Sequence, residues 1–254
     1  MSESLSELVK SASTSDSHGS LAIRLSVIVP AYNEEATIVE LLERVRRQRI
    51  EGTELEIILV DDCSVDGTRA LIESRPDLYD QFVALPENLG KGGAVKAGLE
   101  AASGTFVIFQ DADLEYNPSD YVQMMMPVLE HDADVVLGSR LLAPPYTRVH
   151  YFWHKVGNRL LTLSFNLVNN TTFTDIYSCY LLFRKNLLDP AELRTRGWEQ
   201  QAEILANLAR RGDVLYEVPI SYHGRTYEEG KKIRAKHAIK VLWTILTGGF
   251  RGSD

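Results

Sequence analysis

The chain is short of several things, and each shortage excludes something. It has two cysteines in 254 residues, Cys63 and Cys179. Two cysteines build no disulfide framework, so a reducing compartment is expected and both are read as small packing residues with no redox role. No apolar run approaches the roughly 20 residues that span a bilayer, and no basic stretch followed by an apolar core opens the chain. The expectation is a soluble intracellular protein that meets a membrane from one side only. Positive charge is also scarce: 27 Lys and Arg stand against 35 Asp and Glu, a net charge of -8. A general nucleic-acid binder needs a basic field, and this chain has none overall. No internal repeat occurs.

What remains suits one large α/β domain: 44% hydrophobic and 24% charged residues over a length that buries a sizeable core. Residues 1–20 are Ser-rich without apolar period and read as a disordered tail; order begins at Leu21. Strands are expected at Arg24–Pro30, Leu55–Val60, Phe82–Leu85, Thr105–Gln110 and Ala133–Leu137. Between them lie helices at Glu34–Arg47, from an Asp66 cap to Ser74, at Gly92–Ala102 and over 118–130. The first carries Ile38, Leu41, Leu42 and Val45 on one face. This alternation predicts βαβ units and a mainly parallel sheet. Beyond Arg140 the rhythm changes. Leu141–Val149 reads as a loop and Tyr151–Val168 as an apolar helix. Thr172–Arg184 reads as a strand passing into a turn, Trp198–Arg211 as a helix, Leu215–Tyr222 as a strand and Ala235–Thr247 as a last helix. The domain is placed at 21–234, with an amphipathic helix and tail at 235–254.

Open parallel sheets bind ligands beyond the carboxyl ends of their strands. Four such ends carry polar clusters: Pro30, Tyr32, Asn33 and Glu34; Asp61, Asp62, Ser64 and Asp66; Asp111, Ala112, Asp113 and Glu115; Ser139 and Arg140. Asp and Ser also cap helices, so any one cluster is explicable as loop chemistry; four on one edge are not. Asp111 and Asp113, two apart, aim at one point past a strand. Their mutual repulsion is relieved by a hard divalent cation, which completes its shell with waters and substrate phosphates. Glu115 is a candidate third ligand. The segment NLGKGGAVKA (88–97) is glycine-rich and opens a helix, where backbone N–H groups and Lys91 can meet an anion. It is not a Walker loop, since no Ser or Thr follows the Gly-Lys.

Together VIVPAYNEE, ILVDDCSVDGT, NLGKGGAVKAGLEAASG and FQDADLEYNP resemble the family-2 glycosyltransferases of GT-A fold. DVVLGSR, FWHKVGNRLLT and EVPISYHGRTYEEGKKI resemble the polyprenyl-phosphate branch, which includes dolichol-phosphate mannose synthases. The resemblance covers about residues 24–245. It implies an inverting transferase moving a hexose from a nucleotide-diphosphate sugar, GDP-mannose or a UDP-sugar, to a polyprenyl or dolichyl phosphate, with Mg²⁺ or Mn²⁺. It implies that Pro30, Tyr32, Glu34 and one of Asp61 and Asp62 hold base and ribose, with Lys91, Asp111 and Ala112 completing the nucleotide site. Asp111 and Asp113 become the DxD pair and Glu115 a further metal side chain. Asp113 and Arg140 are the residues expected to carry catalysis. Arg140, Arg225 and Lys231 match phosphate-holding positions. Gln201 and, on the 141–149 loop, Arg148 are candidates for the acceptor side, Arg148 being equally readable as a solvated charge. Where many relatives have Asp-Met-Glu-Thr-Cys-Tyr-Lys this chain has Asp175–Leu181, without the Glu and Lys. Of Phe-Glu-Pro-Glu it keeps only Glu203.

A phosphate acceptor needs no general base. A family-2 enzyme acting on a soluble or polysaccharide hydroxyl would need one, with Asp175 or Glu203 as candidates. A third reading is a catalytically degenerate nucleotide-sugar-binding subunit. From Arg225 to Arg251 seven Lys and Arg stand against Glu228 and Glu229, beside Val241, Leu242, Trp243, Ile245, Leu246 and Phe250. This pattern predicts peripheral docking on an anionic membrane surface at the cytoplasmic face, with a membrane-protein partner as an aid.

Overall fold

The computed structural model describes residues 23–142, 152–197, 199–224 and 245, with 152–154 as backbone alone. The Ser-rich tail, the loop bearing Arg148, Arg225, Lys231 and the expected last helix lie outside the described residues.

Seven strands form one sheet: β1 (Ile23–Ala31), β2 (Thr53–Asp61), β3 (Gln81–Ala84), β4 (Phe106–Phe109), β5 (Val135–Ser139), β6 (Leu181–Arg184) and β7 (Leu215–Pro219), in the order β3-β2-β1-β4-β6-β5-β7. Among the described residues six α-helices accompany them: α1 (Ile38–Arg46), α2 (Thr68–Ser74), α3 (Gly90–Ala101), α4 (Tyr121–His131), α5 (Phe152–Asn169) and α6 (Gln200–Arg211). β1 pairs in parallel with β2 and β4, and β2 with β3. β6 runs antiparallel to both neighbours, β4 and β5, while β7 returns parallel to β5. The expected mainly parallel α/β sheet is therefore present.

The centres of β1 and β2, residues 27–29 and 57–60, are unbroken apolar runs with no exposed surface, as strands buried on both faces require. α3 lies so close to β1 that a Cβ on Gly98 would sit 2.3 Å from Ile28 Cγ2. The register brings Ala31 opposite Asp61, and Gln110 N donates to Ile28 O at 2.9 Å. The carboxyl ends of β1, β2 and β4 are thus level, and the residues just past them share one edge. At the opposite edge the buried Glu56 carboxylate accepts from Ser26 Oγ, Ser103 N and Oγ, and Gln81 Nε2, tying β1, β2, β3 and the end of α3 together.

Several boundaries differ from the sequence reading. α1 begins at Ile38, since Glu34–Glu35 form a turn whose N–H groups go to Thr68 Oγ1 and Asp66 Oδ2. The 172–184 segment is the reverse of its expectation: a loop comes first and the strand is only Leu181–Arg184. Asp66 does not precede α2 directly; Gly67 does, though Asp66 Oδ1 still accepts from Thr68 N.

Candidate active site

A cavity of about 310 Å³ opens at the level strand ends. Pro30, Tyr32 and Glu34 line it from β1, Asp62 from β2, Lys91 from α3, and Asp111, Ala112 and Asp113 from β4. Eight residues singled out from the sequence thus share one wall. The β1 and β2 loops are stitched together: Asn33 N donates to Ser64 Oγ and Val65 N to Asn33 Oδ1. Asn33 (φ 53°), Cys63 (φ 60°) and Leu114 (φ 62°) are left-handed non-glycine residues. Three such residues on one loop edge mark backbone held in place by its surroundings. Cys63 is partly exposed, contrary to its expected burial, while Cys179 is buried.

The paired aspartates of β2 divide their work. Asp62 Oδ1 accepts from Leu89 N at 2.7 Å and its carbonyl from Asn88 Nδ2, fixing the turn ahead of α3; burial pushes its pKa up. Asp61 lies behind it, fully buried. One of its oxygens accepts from Ser64 N, and Oδ2 has no hydrogen-bond partner among the described residues. A buried carboxylate oxygen without a donor suits a ligand N–H or O–H.

Gln110 anchors the DxD segment. Its Oε1 accepts from the buried Tyr121 and Tyr180 hydroxyls at 2.6 and 2.7 Å, and its Nε2 donates to Asp111 O. Asp111 Oδ1 is 2.5 Å from Lys91 Nζ, and the Cys179 thiol also meets this carboxylate. Burial disfavours the Lys91 ammonium, but Asp111 more than offsets it and holds its pKa above the ordinary value. Asp113 Oδ1 accepts from Glu115 N at 3.1 Å. Glu115 departs from its expected place as a third metal ligand. The left-handed turn at Leu114 directs it to the Tyr222 hydroxyl, 2.7 Å from Oε2. Among the described residues no three His, Cys, Asp or Glu side chains converge on one point. The Asp111 and Asp113 carboxylates at the β4 end of the cavity fit a Mg²⁺ or Mn²⁺ that takes its other ligands from water and phosphate.

Arg140, at the end of β5, faces a second cluster. It clasps Asp175 through Nε (2.6 Å), Nη2 (2.8 Å) and its backbone N (3.1 Å), and Asn158 of α5 donates to the same carboxylate. Burial works against the Asp175 charge, yet Arg140 holds its pKa below the ordinary value. The loop is set from β7, where Glu217 accepts from Thr174 N and Asp175 N. The Arg140 guanidinium lies 4.9 Å from the centre of the Tyr222 ring. The neighbouring Tyr116 is close enough to feel both Arg140 and Asp111, so the two clusters adjoin.

The sequence reading missed the far wall. Arg196 and Gly197 line the cavity from the segment before α6. Glu203 holds that segment, accepting from Arg194 N, Thr195 N and Thr195 Oγ1. Gln200 donates to Gly92 O and Thr195 O, bracing the segment behind Arg196 and Gly197, while Gln201 donates to Ser178 O, on the loop that carries Asp175. Gly92 N donates to Arg196 O, and a Cβ on Gly92 would lie 2.7 Å from three Arg196 backbone atoms. The glycine is required by this contact. Gly92→Ala is expected to lower stability by about 1–3 kcal/mol, read by thermal melting, and to weaken nucleotide binding as the 194–197 segment is pushed out.

The sequence matches the family description "Glycosyl transferase family 2" over residues 26–190. It is 30% identical over 229 residues to the undecaprenyl-phosphate 4-deoxy-4-formamido-L-arabinose transferase of Proteus mirabilis (strain HI4320), covering 88% of this chain and 67% of that one. The Pseudomonas aeruginosa (strain LESB58) protein of the same name is 30% identical over 227 residues, covering 88% and 64%. The chain therefore spans about two thirds of these relatives' length. Among solved structures it resembles glucosyl-3-phosphoglycerate synthase from Mycobacterium tuberculosis in complex with Mn²⁺, UDP and glucosyl-3-phosphoglycerate. That likeness has a TM-score of 0.66 at 20% identity, over 91% of this chain and 82% of that one. S. aureus TarS 1-349 in complex with UDP is similar with a TM-score of 0.56 at 20% identity, over 91% and 73%. These two likenesses establish the GT-A glycosyltransferase architecture. With the family match covering most of the chain, the protein belongs to glycosyl transferase family 2.

Proposed function

We propose that the chain is an inverting transferase that moves a sugar from a nucleotide-diphosphate donor to a polyprenyl phosphate at a membrane surface. The names of the Proteus and Pseudomonas relatives, which carry undecaprenyl phosphate, support the acceptor class. The observation that carries the reading is the Arg140–Asp175 clasp. Beside the donor cavity stands a fixed cation, and the carboxylate available as a base is engaged in holding it. Glu203, the other candidate base, is engaged with the backbone at 194–195.

A phosphate monoester is largely dianionic above its second pKa of about 6. Its oxygen attacks the anomeric carbon directly, the carbon–oxygen bond to the nucleoside diphosphate breaks, and no proton has to be removed. One of Asp62, which lines the cavity, and Asp61, buried behind it, would meet the base or ribose, and Tyr32 and Glu34 would border the nucleoside. Asp111 and Asp113 would hold Mg²⁺ or Mn²⁺, whose chemistry when bound is neutralisation of the leaving diphosphate. Arg140 offsets the repulsion between incoming and leaving anions, and alignment in the cavity supplies much of the remaining acceleration.

Membrane association has support on α5. Leu160, Leu163 and Leu167 form an exposed stripe at helical spacing, with Lys155 and Arg159 exposed nearby. Asn158, on the opposite face of the same helix, reaches Asp175, so α5 meets the acceptor-side loop on its inner face and carries the leucine stripe on its outer one. No helix among the described residues is long and apolar enough to cross a membrane. The test supplies labelled UDP- and GDP-sugars with polyprenyl phosphate in anionic vesicles. Label is expected in the lipid extract, with the rate falling below about pH 6 as the acceptor protonates. Label in a soluble glycan alone would favour the hydroxyl-acceptor reading, and label nowhere the degenerate-subunit reading.

A further inference from the structure

The carboxylate assigned to a metal already holds a cation of the protein's own. Lys91 Nζ is 2.5 Å from Asp111 Oδ1, with the two side chains 33% and 20% exposed. An ammonium at that distance occupies the near side of the carboxylate, and its charge repels any divalent ion approaching Asp111 and Asp113.

The backbone of Lys91 cannot carry the ammonium away. The next residue, Gly92, is bonded through its N to Arg196 O and through its O to Gln200 Nε2, and is packed against the Arg196 backbone. Only the side chain can move. Lys91 stands in the first turn of α3, whose amino end opens on the cavity at Gly90. A helix amino end attracts anions. A diphosphate seated there would therefore compete with Asp111 for the same ammonium.

We propose that Lys91 is a displaceable internal cation that keeps divalent metal off Asp111 until a nucleoside diphosphate draws the ammonium away. The proposal rests on the donor site described under Proposed function. Under it the metal binds weakly alone, and metal and nucleotide each strengthen the other's binding by the same factor. Lys91 is then a positioning residue that sets the order in which the donor site fills.

The test is Mn²⁺ binding, read from the loss of the free-ion electron paramagnetic resonance signal, without nucleotide and with UDP or GDP. Wild type, Lys91→Met and Lys91→Arg are compared, with Lys91→Gln as a second neutral variant should the Met variant melt early. Wild type is expected to bind Mn²⁺ more than about tenfold tighter with a diphosphate than without. Lys91→Met should bind Mn²⁺ alone on the order of tenfold tighter than wild type, and its coupling should fall on the order of tenfold, to what direct metal–phosphate ligation supplies. Lys91→Arg, which keeps a cation, should retain the coupling. Unchanged Mn²⁺-alone affinity in both neutral variants, with coupling intact, would overturn the proposal and leave the donor site standing. Absence of Mn²⁺ binding in every protein, with either nucleotide, would overturn both.

Discussion

An Asp113→Asn protein is expected to fold as the wild type does and to transfer almost no sugar. The structural duty of Asp113 is to accept from Glu115 N across the left-handed Leu114. An amide oxygen accepts that bond equally well, so the turn survives. What disappears is the negative charge that stands with Asp111 at the β4 end of the cavity. Electrostatic groups aimed at developing charge in a closed site are worth about 3–4 kcal/mol each, or roughly 10²–10³-fold in turnover. Circular dichroism and melting check the fold, and initial rates across a Mn²⁺ series check the loss. Near-wild-type turnover with unchanged metal response would remove Asp113 from the metal site.

The second large effect is expected at Asp175. Its side chain is fully buried and Arg140 is mostly buried. Replacing Asp175 by Asn leaves a guanidinium without its counter-charge, which costs about 3–5 kcal/mol when one partner of a buried pair is removed. Because its folded pKa lies below the ordinary 3.8, the carboxylate contributes stability above that pH. The contribution is lost as pH falls through the lowered folded value. The Asn variant should therefore melt earlier at neutral pH and lose that part of the acid dependence. Turnover should fall on the order of 100-fold because Arg140 is released, while the pH profile keeps its shape. A removed general base would instead abolish the limb it controls. A double variant, Asp175→Leu with Arg140→Met, should recover most of the stability and none of the turnover. Recovery of turnover would mean that Arg140 plays no part with the acceptor.

The donor half of the site was legible because its residues sit in short motifs directly after strands. A parallel sheet brings every such end to one edge, so Pro30, Asp62, Asp111 and Asp113 needed only strand positions to be brought together. Glu115, named as a candidate further ligand, reaches the Tyr222 hydroxyl because the left-handed Leu114 turns the chain, and a left-handed non-glycine residue leaves no mark in the sequence. Gln200 and Gln201 serve different walls because adjacent helix residues point about 100° apart: the first meets the Gly92 carbonyl and the second that of Ser178. Arg196 and the clamp from Glu203 left no local signal, since the partner of that segment lies about a hundred residues earlier at Gly92. The short, doubly buried run Leu181–Arg184 gave no indication of its direction or of the loop before it.

β6 has a consequence for synthesis. It lies between β4 and β5 yet follows both in the chain. A nascent protein leaving the ribosome therefore carries β4, the apolar Phe106–Phe109, with one ladder edge unpaired until residues 181–184 emerge. β5 waits for both of its neighbours, the last of which ends at Pro219. An unfilled apolar edge invites pairing with another chain. The newborn polypeptide thus passes through an interval of self-association risk that closes only when the sixth strand threads into its gap.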